Sequence, residues 1–75
     1  MSVERQLQKQ IFDLDKQIEV LESKRARSEA YIVDALVTGA EPNAEDVRFF
    51  RSYTTDIEEK RARILELQAQ LDTLY

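Results

Sequence analysis

Apolar residues recur along this chain in steps of three and four. The first run is Leu7, Ile11, Leu14, Ile18 and Leu21, then Arg25 and Ser28, then Ile32 and Ala35 or Leu36. The second is Val47, Phe50, Tyr53 or Thr54, Ile57, Lys60 or Arg61, Ile64, Leu67, Leu71 and Leu74. This is the spacing of a left-handed coiled-coil seam, and no stretch sustains the period-two alternation of a strand. The pattern predicts two long helices and no sheet.

The break between the runs is confined to "VTGAEPNAEDV". It holds the chain's one Gly and one Pro. Gly39 suits the left-handed position just beyond a helix end, and Pro42 stops simple continuation and restricts Glu41. Asn43 suits an N-cap, with Glu45 beside the helix N-terminus and Asp46 placed to complete a capping-box-like arrangement. These signals predict one helical-hairpin domain over residues 1–75, with helix 1 at about 3–38, a turn at 39–43 and helix 2 at about 44–74.

Folding at the turn places residues whose numbers add to about 82 at one level of an antiparallel pair. Ile32 then meets Phe50, Ile18 meets Ile64, Ile11 meets Leu71, and Leu7 meets Leu74 or Tyr75. Leu36 is expected opposite Val47, and Ser28 and Thr54 form a small polar layer. The expected fold class is all-α, a two-helix antiparallel coiled-coil hairpin that dimerises into a four-helix bundle.

The second half of that expectation rests on surplus. Phe12, Val20, Tyr31, Val33, Val37, Phe49 and Leu65 fall beside the seam, with Ala26, Ala30, Ala62 and Ala69. Burial of each large side chain is worth about 1.5–3 kcal/mol, a strong drive for association. Phe12, Tyr31, Val33, Val37, Phe49, Phe50 and Leu65 are the expected contact residues for a second copy or a helical protein partner. Scattered surface hydrophobes are ordinary, but two-helix hairpins rarely stand alone.

Composition sharpens the picture by what it removes. A chain of 75 residues buries only a modest core, and it has neither Cys nor His. Disulfide staples, thiolate zinc sites, the usual general base and the commonest metal ligand are therefore missing. Charged residues make up 35% of the chain, but 43% is hydrophobic, which favours ordered amphipathic helices over disorder. No apolar run reaches the ~20 residues of a membrane span, and the N-terminal residues lack a signal-peptide core. The expected location is cytoplasmic, or host-intracellular for a viral protein.

The net charge of −4 argues against a default nucleic-acid surface, yet the tetrapeptide KRAR occurs twice, at 24–27 and 60–63. These clusters hold six of the eleven cationic side chains, and a bundle would gather them into a belt. Lys24, Arg27, Lys60 and Arg63 are the candidate basic surface. In the hairpin register each cluster also faces an acidic stretch. Glu22 is expected near Lys60, and Asp56 and Glu58 near Arg25 and Lys24, exposed pairs worth ~0–1 kcal/mol each that favour one register.

Other candidate chemistry has a simpler reading. Asp13, Asp15, Glu19 and Glu22, and Asp56, Glu58, Glu59 and Glu66, alternate with Lys and Arg as solvated helix faces do. No Glu-x-x-His pair points to a di-metal site. No Ser or Thr has an activating base, and "GAEPN" lacks the glycines of a phosphate cradle. The expectation is no enzyme, cofactor, metal or small-molecule substrate.

Two family resemblances follow from architecture. A short helical hairpin expected to dimerise resembles the Rop family of plasmid RNA-regulating proteins, which implies a nucleic-acid-binding bundle but transfers no residue. Gly39-Ala40-Glu41-Pro42 followed by an amphipathic helix is similar to the break in small co-chaperones of type III secretion needle subunits. That resemblance implies a chaperone-like partner role, and a phage-encoded assembly or regulatory factor is a further reading of a short, Cys-free helical chain. The function expected from the residues is a small adaptor or regulator acting through exposed apolar helix faces.

Overall fold

The computed structural model describes residues 2–75, and among these the only regular elements are two helices, α1 (Val3–Val37) and α2 (Ala44–Asp72). They pack against each other as an antiparallel hairpin about 55 × 16 × 16 Å in extent. The helices end one and two residues before the expected 38 and 74, each with a threonine as its C-cap, Thr38 and Thr73. Each threonine hydroxyl turns back onto a preceding carbonyl, Thr38 Oγ1 to Asp34 and Ala35 and Thr73 Oγ1 to Gln70. Such local bonds compete with continuation of the helix.

The turn is built as its residues dictate. Gly39 has φ of 79°, the left-handed region. Its N–H donates to Leu36 O at 3.2 Å, and Ala40 N–H donates to Ala35 O at 2.8 Å. This pair of bonds is the Schellman closure, which satisfies carbonyls that the helix end would leave open. Asn43 caps α2 by accepting a bond from Glu45 N at 2.8 Å, with Glu45 and Asp46 in the first turn. Asp46 makes no reciprocal bond to Asn43, so the capping box is half formed and its acidic residues act through the helix dipole. The start of α1 is capped by Ser2, whose Oγ accepts from Arg5 N at 3.2 Å.

The core is a single thin seam. Leu7, Ile18, Ile57, Ile64 and Leu67 are its buried hydrophobic residues, and Ile57 and Leu67 are almost wholly removed from solvent. Ile11, Leu14 and Leu21 pack on the cluster of Ile18, Ile57 and Ile64. On α2 the residues turned inward step regularly from Phe50 through Tyr53, Ile57, Lys60, Ile64 and Leu67 to Leu71. Lys60, rather than Arg61, therefore takes the inner position. Near the turn Ala35 is half-buried while Leu36 is exposed, so the expected Leu36–Val47 layer is an Ala35 layer. Continuing the heptad from Ser28 and Ile32 brings Ala35, not Leu36, to the seam.

At the other end of the hairpin, the Tyr75 hydroxyl donates to the Glu4 carboxylate. That bond, reinforced by the nearby negative charge, raises the phenol above its usual pKa. No helix among the described residues is long and apolar enough to cross a membrane.

Candidate interaction site

A heptad seam leaves two flanks, and the surplus apolar residues are divided between them. Phe12, Glu19, Ala26 and Val33 are spaced by sevens and form one stripe on α1. Glu19 shares a groove of about 540 Å³ with Asp15, Glu22, Arg61, Ile64 and Leu65, which fixes the stripe and Leu65 on the same side of the hairpin. Within it Arg61 Nη2 lies 3.4 Å from Glu22 Oε2, the one ion pair joining the two helices among the described residues. Phe12 and Leu65 border this flank at 58% and 67% exposure. The Lys16 ammonium sits 5.4 Å from the Phe12 ring centre, a cation–π contact that half-satisfies an open aromatic face.

The opposite flank carries the other aromatics. Tyr31, Phe49 and Tyr53 line a groove of about 280 Å³ with Lys24, Arg27 and Ser28, and Asp46 stands in the same lining. The Phe49 and Tyr53 rings are stacked, with centroids 6.2 Å apart and planes inclined by 21°. They stand one turn apart on α2, so the i, i+4 spacing held this pair in the sequence. Tyr31 is exposed on α1 beside them. A smaller groove of about 270 Å³ continues this flank past Gln17, Val20, Leu21, Asp56 and Lys60.

The seven expected contact residues therefore do not make one patch. Phe12, Val33 and Leu65 belong to the first flank, and Tyr31 and Phe49 to the second. Val37 is exposed beside the turn, and Phe50 is half-buried in the seam.

The two KRAR clusters also differ. Every cation of the second has a carboxylate: Lys60 Nζ to Asp56 at 2.8 Å, Arg61 to Glu22, and Arg63 Nη1 to Glu66 at 2.9 Å. Among the described residues, Lys24, Arg25 and Arg27 make no ion pair. The expected partners are thus exchanged by one position. Glu22 takes Arg61 rather than Lys60, because Lys60 lies in the seam and reaches back one turn to Asp56. Asp56, so engaged, does not pair with Arg25 or Lys24, and neither does Glu58.

One polar atom inside the seam is unexplained by packing alone. Thr54 Oγ1 is buried without a hydrogen-bond partner, at the level where Ser28 is buried on the facing helix.

By fold and surface the chain is an all-α helical hairpin with two unlike, aromatic-bordered flanks. Comparison with protein-family models, with curated proteins and with solved structures finds no match to it.

Proposed function

We propose that this protein is a non-enzymatic protein–protein interaction module, a small cytoplasmic adaptor or chaperone-like regulator. One flank closes on a second copy to make a four-helix bundle, and the other is presented to a helical partner. The observation that carries this reading is the amount of surface a single seam leaves open. The hairpin exposes 5663 Å², whereas a compact monomer of its mass exposes about 4,800 Å². The excess of about 900 Å² matches the ~800 Å² per partner of a standard interface. Its radius of gyration, 16.9 Å, likewise exceeds the ~11 Å of a globular 75-residue domain. Aromatic and aliphatic side chains occupy both flanks, and such residues dominate interface energetics.

Light scattering coupled to size-exclusion chromatography, over a concentration series with circular dichroism on the same fractions, tests it. A helical dimer at low micromolar concentration is expected. A well-folded monomer throughout would remove self-association from the proposal.

A second reading has its own observation. The unpaired Lys24 and Arg27 flank the groove that contains the stacked Phe49 and Tyr53, a combination suited to the phosphates and bases of a single-stranded nucleic acid. Such binding would weaken steeply with salt and fall on changing Arg27, but not Arg63, which is engaged by Glu66.

A further inference from the structure

The seam is not equally closed along its length. From Glu22 to Asp56 the one buried residue is Ser28. The apolar residues between the helices towards the turn, Ile32, Ala35, Val47, Phe50 and Tyr53, are only half-buried. Every buried hydrophobic residue, from Leu7 and Ile18 to Ile57, Ile64 and Leu67, lies on the side away from the turn. Nearness to an end does not explain the difference, because Leu7 is buried in the second turn of α1.

A polar block separates the two parts. After Leu21 the α1 seam continues with Arg25 and Ser28 before Ile32, so about 16 Å of it carries no aliphatic side chain. Arg25 is half-buried without an ion pair, and Ser28 lies at the level of Thr54, whose hydroxyl oxygen is buried and unpartnered. Ile57, the α2 seam residue next to the block, clusters with Ile18 and Ile64, and the residues packed on them are Ile11, Leu14 and Leu21. The cluster takes in no residue from the turn side. Polar links between the helices follow the same division. Among the described residues they are Arg61 to Glu22 and Tyr75 to Glu4, both away from the turn. The bonds of the turn itself, from Gly39 and Ala40 to α1 and from Glu45 to Asn43, do not tie one helix to the other.

Unfolding is cooperative where packed side chains transmit it, and a stretch with few buried apolar contacts transmits little. We infer that the hairpin comprises two units of unequal stability, divided at the Ser28–Thr54 layer. Residues 4–25 and 57–75 form a clamp, and residues 29–53 form a turn-proximal unit that opens by itself while the clamp stays closed. The turn and the clamp fix this unit at both ends, so it opens by local unwinding. The longer loop adds little closure cost, which grows only with the logarithm of its length. Opening frees Ile32, Val47 and Phe50 beside the exposed Tyr31, Val33 and Phe49, so apolar side chains gather where the hairpin is loosest.

Native-state hydrogen exchange, read residue by residue by NMR over a series of low urea concentrations, tests this. The amides of Ile32, Val33, Arg51 and Tyr53 should be at least about tenfold less protected than those of Ile18, Leu21, Arg61 and Ile64, with a shallower dependence on urea. Equal protection and equal slopes in the two groups would make the hairpin one unit and overturn the inference. Two conservative variants then locate the division. Ile18→Val weakens the clamp alone, so its amides should lose protection by about twofold or more while the turn-proximal four stay unchanged. A common fall in both groups overturns the inference. Thr54→Val alters the layer itself, and should shift the four turn-proximal amides by one common factor of about threefold or more. If they do not move, protection is lost there by fraying from the turn that stops short of the layer, and the two-unit division fails.

Discussion

At the scale of single residues, Thr54 is the side chain whose chemistry agrees least with its surroundings. Its hydroxyl oxygen is buried and unpartnered, although helical threonines can bond the carbonyl one turn back. A buried polar group without a partner costs about 1–3 kcal/mol. Thr54→Val keeps the branched shape and removes the hydroxyl, so urea denaturation should show a gain of about 1 kcal/mol. A loss would mean that the hydroxyl has a partner, such as a water held with Ser28. Gly39 is the opposite case, a residue in full agreement with its site. Its left-handed φ was readable from its place after the last seam residue, and a Cβ there would touch nothing, so only the backbone conformation requires glycine. Side-chain pairing was less readable. Glu22 has two cations within one residue of its level, and the choice fell to Arg61 because Lys60 has a nearer carboxylate on its own helix. Local rotamers decide such exchanges, and no periodicity encodes them.

At the scale of the helices, stability lies in a seam only one side chain thick. Ile64 has few neighbours to share a defect with: Ile18 and Ile57 in the buried cluster, and the half-buried residues packed on it. Ile64→Asp places a charge there without a partner, and should abolish cooperative unfolding. A normal sigmoidal melt of that variant would count heavily against the register. Arg61→Ala removes the inter-helix ion pair, but both partners are about half exposed, so a loss of less than about 1 kcal/mol is expected. A loss above ~2 kcal/mol would show that Glu22–Arg61 holds the helices in register, not merely favours it. The helices themselves were legible almost to their ends, since steps of three and four, one glycine and one proline admit little else. What the pattern left open was the rotation of α2. Tyr53 or Thr54, and Lys60 or Arg61, fit the spacing equally, and the choice rests on how Ile57, Ile64 and Leu67 together settle against α1.

At the scale of the whole molecule, that rotation determines which apolar residues share a flank. Read along the sequence, Tyr31, Val33, Phe49 and Phe50 look like one cluster near the turn. In the hairpin the seam runs between them, leaving Val33 with Phe12 and Leu65, and Tyr31 with Phe49. The two flanks therefore make separable predictions. Phe12→Glu adds a charge to the first flank, on the same side as Asp15 and Glu19, and where that flank closes the bundle the monomer–dimer midpoint should rise at least tenfold. Phe49→Glu disrupts the stack on Tyr53, and where its flank is the one presented to a helical partner it should leave that midpoint within about threefold. Both positions are exposed in the hairpin, so the helical signal of the monomer should change little in either variant. Sedimentation velocity across the same concentration range separates the outcomes. Equal weakening by both substitutions would mean that the bundle closes through both flanks at once, as in an extended stack. Weakening by Phe49→Glu alone would move the two-fold interface to the Tyr31 side and leave the acidic groove beside Leu65 for a basic partner.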